Sequence, residues 1–382
     1  MARLLARGLL LAFAALTGCA APAPVPPPPA ALPPAVPPHV GPAPVRALPT
    51  RPAQLWQFTR LRNVDYVNIR DFAAHFNLKA QWTKAELTLT LSDAHGVRFT
   101  LENNQSDIYF DGLRVFLGEP VLFDKDSLWV SKLDLIKLVV PLLHPEEHLF
   151  QLPLTAPRSI VLDPGHGGSD PGKENKLVGL NEKTCTLDVA LRLKKILEAR
   201  GWSVWLTRTD DHELSPIKKK DLQLRDDLAN RNRADLFLSI HFNSVEKNPE
   251  RVIGTETYTM SPQFMFSAAD AKKDDMTDTA FPGNRLDFAN LLFGEQIHRA
   301  MIGGLKTPDR GFKRGRLAVL RFVECPAALV ECAYLSNNGE ARRVATPEYR
   351  QKIAEAIASG IQGYAGALAA TRPEQPAAAA AR

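Results

Sequence analysis

Residues 159–168 read SIVLDPGHGG, a short apolar run that ends in Asp163 and a glycine-rich turn. An apolar run of this length between turn residues is typical of a buried strand. Similar runs follow at 203–206, 235–240, 254–260 and 327–330, and helical patterns lie between or after them at 182–200, 222–231, 286–302 and 347–368. This alternation predicts an α/β domain over residues 158–368, with a mostly parallel open sheet flanked by helices.

Three of the predicted strands end in a residue with reactive side-chain chemistry. His166 follows the first strand, His241 ends the third, and Glu331 ends the last. Glu182 begins the first helix and can point back over the same edge. Because ligands bind outside the carboxyl ends of parallel strands, we expect these side chains to converge. Two imidazoles and one carboxylate with an open fourth position form a catalytic zinc ligand set, and a second carboxylate would serve as proton shuttle.

Two other interpretations of the glycine-rich turn fail on the residues that surround it. Residues 167–173 fit the phosphate-binding pattern GxxxxGK, but Glu174 stands where that loop needs Ser or Thr to hold magnesium. The carboxylate of Asp170 would also repel phosphate. The GxSxG turn of serine hydrolases does not occur in the sequence.

Four motifs in order resemble the zinc-dependent N-acetylmuramoyl-L-alanine amidases. They are DPGHGG (163–168), GLNE (179–182), SIHFN (239–243) and PAALVE (326–331), the last followed by LSN (335–337). The resemblance implies that His166, Glu182 and His241 bind zinc and that Glu331 is the catalytic acid/base. It also implies hydrolysis of the amide bond between the lactyl group of N-acetylmuramic acid and L-alanine in peptidoglycan, in wall remodelling or daughter-cell separation.

Two functions of other classes stay open at this point. A wall-binding or activator protein could keep this fold without catalysis, but such a protein would be marked by the loss of a ligand, and none is lost. A different metal hydrolase, such as a sugar N-deacetylase or a peptidase, could use the same ligand set. Analysis of the chemical termini released from the cell wall distinguishes all three.

Residues 54–152 are predicted to form a small β-rich α+β domain. Polar and apolar residues alternate at 86–91 and 97–101, and Asp111-Gly112 predicts a further hairpin. Residues 66–72 and 129–135 have similar sequence patterns. Each pattern predicts the end of a strand, a capping residue and a short helix. The arrangement resembles the copper-amine-oxidase-like N-terminal domain of exported wall proteins. The histidines at 75, 95, 144 and 148 show no metal-ligand spacing, and residues 153–157 are predicted to join the two domains.

The two ends of the chain predict export and a lipid anchor. Residues 1–19 resemble a lipoprotein signal peptide, whose LTGC box (16–19) would leave Cys19 as a lipid-carrying N-terminus. Ala20 follows the cysteine, which by resemblance to Gram-negative sorting favours an outer-membrane lipoprotein in the periplasm. Residues 20–53 form a Pro/Ala-rich linker that holds 14 of the 30 prolines, and residues 369–382 form a disordered Ala/Pro tail.

Composition excludes several other classes of protein. With 45% apolar and 23% charged residues, the chain is neither disordered throughout nor a multi-span membrane protein. The net charge of +5 is spread out, and the only compact basic run, 218–220, is followed by Asp221, so we expect no nucleic-acid partner. Cys185, Cys325 and Cys332 are predicted to be buried and unpaired. Residues 261–285 lack sustained helical periodicity and are predicted to form a mobile lid beside the zinc, with a passive surface loop as the alternative.

Overall fold

The computed structural model describes residues 56–149, 156–268 and 276–370. The predicted signal peptide with Cys19, the linker 20–53 and residues 371–382 of the predicted tail lie outside the described residues. Within the described ranges, no helix combines the length and apolar character that crossing a membrane requires.

The N-terminal part is β-rich, as predicted. Its elements are β1 (Phe58–Leu61), β2 (Val64–Asn68), α1 (Ile69–His75), β3 (Lys79–Lys84), β4 (Thr88–Asp93), β5 (Gly96–Glu102), β6 (Asp107–Phe110), β7 (Leu113–Phe116), β8 (Leu122–Asp124), β9 (Ser127–Ser131), α2 (Lys132–Asp134), α3 (Val140–Leu143) and α4 (Glu146–Leu149). Strands β3 to β7 form an antiparallel meander, and β1, β2, β9 and β8 form a second sheet. The predicted hairpin at Asp111-Gly112 joins β6 to β7.

The similar patterns at 66–72 and 129–135 form the same local structure, as predicted. Asn68 at the end of β2 caps α1, because its side chain accepts a hydrogen bond from the Arg70 N–H at 2.9 Å. Ser131 at the end of β9 caps α2 in the same way, with 3.0 Å to the Asp134 N–H. Strands β2 and β9 pair antiparallel, with Asn68 opposite Trp129 and Ser131 opposite Tyr66, so the two capped helices begin at opposite ends of the paired segment.

The C-terminal part is the predicted α/β fold. Its elements are β10 (Ser159–Pro164), β11 (Glu174–Asn175), β12 (Leu180–Asn181), α5 (Glu182–Glu198), β13 (Ser203–Leu206), α6 (Lys218–Arg231), β14 (Leu236–Asn243), β15 (Thr255–Thr259), α7 (Asp287–Leu305), β16 (Asp309–Arg314), β17 (Ala327–Tyr334), α8 (Asn338–Ala345) and α9 (Pro347–Ala370). The strand order is β13-β10-β14-β17-β15-β16, and every neighbouring pair is parallel except β17 with β15.

Alternate residues of the central strands supply two different hydrophobic cores. Ile160 and Leu162 of β10 pack with residues of α5, α7 and α9, whereas Val161 between them packs with Ala229 of α6 and Leu320. Successive side chains of a strand point to opposite faces of its sheet, so helices α5, α7 and α9 cover one face and α6 covers the other.

One pairing makes a continuous sheet from the two predicted domains. Phe312 of β16 pairs with Val115 of β7, which gives an eleven-stranded sheet. Next to this pairing, the Arg114 N–H donates to Asp309 Oδ2 at 2.8 Å. The described residues all belong to one compact unit. The division into 54–152 and 158–368 therefore stays a prediction, since both regions share a sheet.

The predicted position of the 261–285 segment is wrong for its described parts, 261–268 and 276–285. Strand β15 runs antiparallel to β17, so the chain leaves β15 at the edge opposite the carboxyl end of β17. There Arg316 Nη2 donates to the carbonyls of Pro262 and Met265 at 3.0 and 2.9 Å. The sequence pattern predicted the strand but not its direction, and the direction excludes a lid beside His241.

The three described cysteines are unpaired, as predicted. Cys185 and Cys332 are buried, but Cys325 is only partly buried and lies before the first residue of β17. Cys325 is therefore less buried than predicted, and it precedes the strand that carries Cys332.

Candidate metal centre

The parallel sheet brings three of the four predicted site residues to one edge. Strand β10 pairs with β14 in a register that places Pro164 opposite Ile240, and the Gly165 N–H continues this ladder to the Ile240 carbonyl at 3.0 Å. Strand β14 pairs with β17 in a register that places His241 directly opposite Glu331. His166 follows β10 within two residues, so all three side chains lie where these strands end.

Glu182 reaches the same place from the start of a helix. The Asn181 side chain caps α5 by accepting from the Thr184 N–H, which makes Glu182 the first helical residue. Its carboxylate is buried and accepts hydrogen bonds from the Lys173 N–H at 2.8 Å and the Phe242 N–H at 2.9 Å. The two backbone donors fix its orientation at the edge of the sheet.

His166, Glu182 and His241 meet closely enough to share one ion. Glu182 Oε1 lies 3.2 Å from His166 Nε2 and 3.1 Å from His241 Nδ1. One ligand atom from each residue lies within 4.8 Å of the others. Burial alone would raise the pKa of Glu182, but the two imidazoles hold it well below its usual range. An anionic carboxylate between two ring nitrogens fits a divalent metal such as zinc.

The loop that carries His166 is held in an unusual backbone conformation. His166, Gly167 and Gly168 have φ angles of 64°, 131° and 57°, all in the left-handed region. Buried Arg225 donates to the His166 carbonyl at 2.9 Å and pairs with Asp163 at 2.8 Å. A left-handed conformation at a residue other than glycine persists only where neighbours impose it, so this network holds His166 at the site.

Glu331 stands beside the three clustered residues with an unsatisfied oxygen. Its Oε2 atom is buried and has no hydrogen-bond partner within the described ranges. Burial raises the pKa of Glu331 well above its usual value, and the charges of Glu182 and Glu256 raise it further. A carboxyl group whose pKa is shifted in this direction is suited to accept and return a proton near neutral pH.

Sequence reasoning missed a buried cluster next to Glu331. Glu256 of β15 pairs directly with Glu331 of β17. The Glu256 carboxylate accepts from Lys313 Nζ at 2.7 Å and from the hydroxyls of Tyr258 and Tyr334, each at 2.5 Å. All five residues of β15 are buried although four are Thr or Glu. A strand of polar residues next to apolar strands was the signal that could have found this cluster.

The role of Asp170 and Lys218 at the site was also missed. Asp170 Oδ2 lies 3.0 Å from His166 Nδ1, and Lys218 Nζ lies 2.5 Å from the same oxygen. The contact is an ion-pair distance without hydrogen-bond geometry among the described residues. A carboxylate beside the second ring nitrogen favours one orientation of a metal-binding imidazole. The sequence interpretation treated Lys218 only as part of an exposed basic run. Its contact with Asp170 could not be predicted, because the two residues are 48 positions apart in sequence.

His144 lies in a group of possible metal ligands, which the sequence interpretation did not predict. Its Nδ1 atom lies 3.0 Å from Glu146 Oε1, and Glu147 completes a group of possible ligands. The sequence interpretation had recognised no such spacing. Both carboxylates are exposed, so this group resembles an ordinary surface cluster more closely than a built site.

Comparisons with known proteins agree with this arrangement. The model of the Amidase_3 family, described as N-acetylmuramoyl-L-alanine amidase, matches residues 160–363. An uncharacterized cell wall amidase of Bacillus anthracis is 32% identical over 54% of this chain and 35% of its own length. The amidase AmiC of Neisseria meningitidis is 32% identical over 54% of this chain and 52% of its own length. The chain thus spans less than two thirds of either relative.

Among solved structures, AmiC2 of Nostoc punctiforme is 31% identical, with a TM-score of 0.44 over 55% of this chain and 98% of that chain. The germination-specific amidase of Bacillus subtilis is 31% identical over 82% of its length. The family match covers more than half of the 382 residues and includes all three strands that end at the clustered side chains. The chain therefore belongs to the Amidase_3 family of N-acetylmuramoyl-L-alanine amidases.

Proposed function

We propose that the protein is a zinc-dependent hydrolase of peptidoglycan that cleaves the amide between the lactyl group of N-acetylmuramic acid and L-alanine. The observation that carries the proposal is the convergence of His166, Glu182 and His241 within 4.8 Å, with Glu331 paired to His241 on the next strand. Family membership supports the reaction type.

The donor set defines how the site would work. His166, Glu182 and His241 would hold the metal, because two imidazoles and a carboxylate match the ligand preference of catalytic zinc. Zinc bound there lowers the pKa of water towards about 7 and polarises a carbonyl. Glu331 takes the proton of the attacking water and returns it to the leaving amine of L-alanine. Asp170 lies at ion-pair distance from His166 Nδ1 and would help to orient the ring when the metal is bound.

Digestion of purified sacculi tests this proposal against its alternatives. The proposed reaction leaves a free lactyl group on the glycan and a new L-alanine amine on the stem peptide. Released acetate would instead identify an N-deacetylase, and a new amine on another amino acid would identify a peptidase. Binding to sacculi without any release would identify a catalytically silent wall-binding protein.

A glycine substitution tests how tightly the metal site is packed. In Gly165→Ala, the added Cβ would lie 2.3 Å from His241 Cε1, a separation that non-bonded carbon atoms do not tolerate. The imidazole must move, so we expect a large loss of bound zinc together with a loss of hydrolysis. Metal analysis of the purified variant measures the first effect, and the rate of sacculus digestion measures the second.

Gly303→Ala is the matched control for this experiment. Gly303 lies in α7, and an added Cβ there meets no atom within 4 Å. We expect full zinc content and a stability gain of at most about 1 kcal/mol from better helix propensity. Full zinc occupancy and a normal rate in Gly165→Ala would show that the site accommodates the added methyl group and would contradict the tight packing of His241 against Gly165.

We also propose that Cys19 carries a lipid and that residues 20–53 tether the enzyme to the outer membrane from the periplasm. At about 3.1 Å per residue in polyproline II, this linker extends to on the order of 100 Å. That length lets the folded part reach the wall. The region 54–152, which resembles the copper-amine-oxidase-like domain, would then be an accessory region next to the catalytic part.

Cys19→Ala is expected to move the protein from the membrane fraction to the soluble periplasmic fraction. A single buried acyl chain gives only marginal membrane binding, whereas several chains on one cysteine anchor a protein stably. Immunoblots of fractionated cells measure the distribution, and Cys325→Ala serves as the control for loss of a thiol. Unchanged fractionation of Cys19→Ala would contradict the lipid anchor.

A further inference from the structure

A cavity of about 590 Å³ opens on the flank of the sheet between α6 and the turn around residues 318–322. Its wall includes Lys218, Lys219, Asp226, Arg321 and Phe322. Lys218 also lines a smaller cavity of about 200 Å³ that contains His166 and Asp170. The two cavities therefore lie on either side of Lys218, and the larger one follows α6 from this residue.

The wall of this cavity holds an unpartnered acid. Asp226 has 0% of its surface exposed, and neither of its carboxyl oxygens has a hydrogen-bond partner in the described part of the chain. The Phe322 N–H influences its pKa without reaching hydrogen-bond geometry. Burial raises the pKa of Asp226 to about 8, with further contributions from Asp163 and Asp227. At neutral pH the group is therefore mainly a neutral acid with one O–H donor and free acceptor capacity.

A buried polar group without a partner is costly, and native proteins rarely keep one without a reason. Replacing such a group by an apolar one of similar size is often neutral or stabilising. Asp226 therefore suggests a ligand that enters the cavity and completes its hydrogen bonds.

The charges around the cavity indicate which ligand fits. Lys218, Lys219 and Arg321 place three cations on its wall, whereas the single acid is buried and mainly neutral. Phe322 adds an apolar surface that is 48% exposed. Carboxylates on a chain with apolar side groups match these features, because cations attract the carboxylate and the protonated acid donates to it. Lys218 already pairs with Asp170, so a neutral sugar chain would leave Lys219 and Arg321 without an opposite charge from the ligand.

The length of the cavity matches a short peptide. Eight helical residues separate Lys218 from Asp226, about 12 Å at 1.5 Å per residue. An extended peptide spans that distance with about four residues at roughly 3.3 Å each. Lys218 Nζ lies 2.5 Å from Asp170, which touches His166, so the peptide would begin next to the metal centre.

We propose that this cavity is a subsite for the stem peptide, in which Lys219, Arg321 and Asp226 bind a free carboxylate on the L-alanine side of the scissile amide. The proposal rests on the proposed amidase function. If the proposal holds, residues of this cavity determine whether the protein prefers stem peptides with free carboxylates or stem peptides with amidated carboxylates.

Charge reversal at the entrance tests the proposal with the zinc-loaded full chain. Lys219→Glu is expected to raise KM about tenfold for a muropeptide with free stem carboxylates and to leave kcat within about twofold. Lys220→Glu changes the same charge at the next position, which does not line the cavity, and is expected to change KM less than twofold. Equal effects of the two variants would indicate only long-range electrostatics and would overturn the subsite.

Substitution of the buried acid separates a binding role from a structural one. Asp226→Asn keeps a donor and an acceptor, so KM should stay within about threefold of the native value. Asp226→Leu removes both and should raise KM about tenfold, while the melting temperature does not fall. A lower melting temperature with an unchanged KM in Asp226→Leu would assign a structural role to Asp226 and overturn its part in binding.

Direct binding distinguishes failure of the subsite from failure of the proposed reaction. Calorimetry with zinc-loaded Glu331→Gln compares a tetrapeptide stem with free carboxylates, the same peptide with amidated carboxylates, and a peptide-free glycan fragment. Preference for the free carboxylates, lost in Lys219→Glu, would support the subsite even if the native protein released no L-alanine termini. Equal binding of both peptides, preference for the glycan, or no binding would overturn it, even if sacculi are cleaved as proposed.

Discussion

His241→Ala is expected to lose its zinc and to stop releasing stem peptides from sacculi. The imidazole lies 3.1 Å from Glu182 Oε1 at the end of β14, and no other described histidine besides His166 lies in this cluster. Loss of an outer-shell partner alone weakens metal binding by about 10–100-fold, so loss of a direct ligand should weaken it more. Metal analysis after dialysis and a sacculus digestion assay measure the two effects.

The control for this substitution is His95→Ala, which removes an exposed imidazole from the N-terminal region. It should keep both zinc and rate. Treatment of the native protein with a chelator should also abolish digestion, and added zinc should restore it. Full activity in a verified metal-free sample, or full zinc content in His241→Ala, would contradict the proposed ligand set.

The convergence of the site was predictable because its residues follow local rules. Each predicted site strand is a short apolar run, and parallel strands place their carboxyl ends at one edge. The prediction of 203–206 matches β13 residue for residue, and the predicted helix at 182–200 matches α5 within two residues. Hydrophobic periodicity and turn residues determine such elements locally, so the sequence carries the information directly.

The direction of β15 and the shared sheet were not predictable in this way. The alternation of residues that predicts a strand does not show whether the strand runs parallel or antiparallel to its neighbour. The direction of β15 is known only from its pairing with β17, in which Glu256 lies opposite Glu331. Strand β16 reads DRGFKR, and its polar composition gives no strand signal. It forms because β15 and β7 pair with its two sides. Tertiary pairing of this kind overrides local propensity.

The contacts behind the site escaped prediction for a related reason. Arg225 joins Asp163 to the His166 carbonyl, and these partners lie about 60 residues away in sequence. Buried ion pairs of this kind leave no periodic signature. These ion pairs matter for the site because they hold the loop in which His166 has a left-handed backbone conformation. Only the structure shows this dependence.

Glu331→Gln is expected to bind zinc normally and to lose turnover by about 10²–10⁴-fold, the usual contribution of a general acid–base group. This loss corresponds to about 3–5 kcal/mol of transition-state stabilisation. The amide has nearly the shape of the carboxylate, so the packing against Glu256 and His241 should survive. It cannot accept a proton from water, and the buried Oε2 atom that has no described hydrogen-bond partner loses its chemical role.

Equal zinc content and melting temperature in native protein and Glu331→Gln, together with a reduced kcat, would locate the defect in the proton transfer itself. Glu174→Gln is the matched control, because Glu174 is an exposed glutamate on β11, the strand that pairs with β12 immediately before Glu182. We expect its rate to stay within about twofold of the native rate, since Glu174 is exposed on β11, whereas Glu331 pairs directly with His241. A near-normal rate in Glu331→Gln combined with a large loss in Glu174→Gln would transfer the role of proton shuttle to Glu174. It would also mean that the pairing of Glu331 with His241 serves the packing of the sheet rather than the reaction.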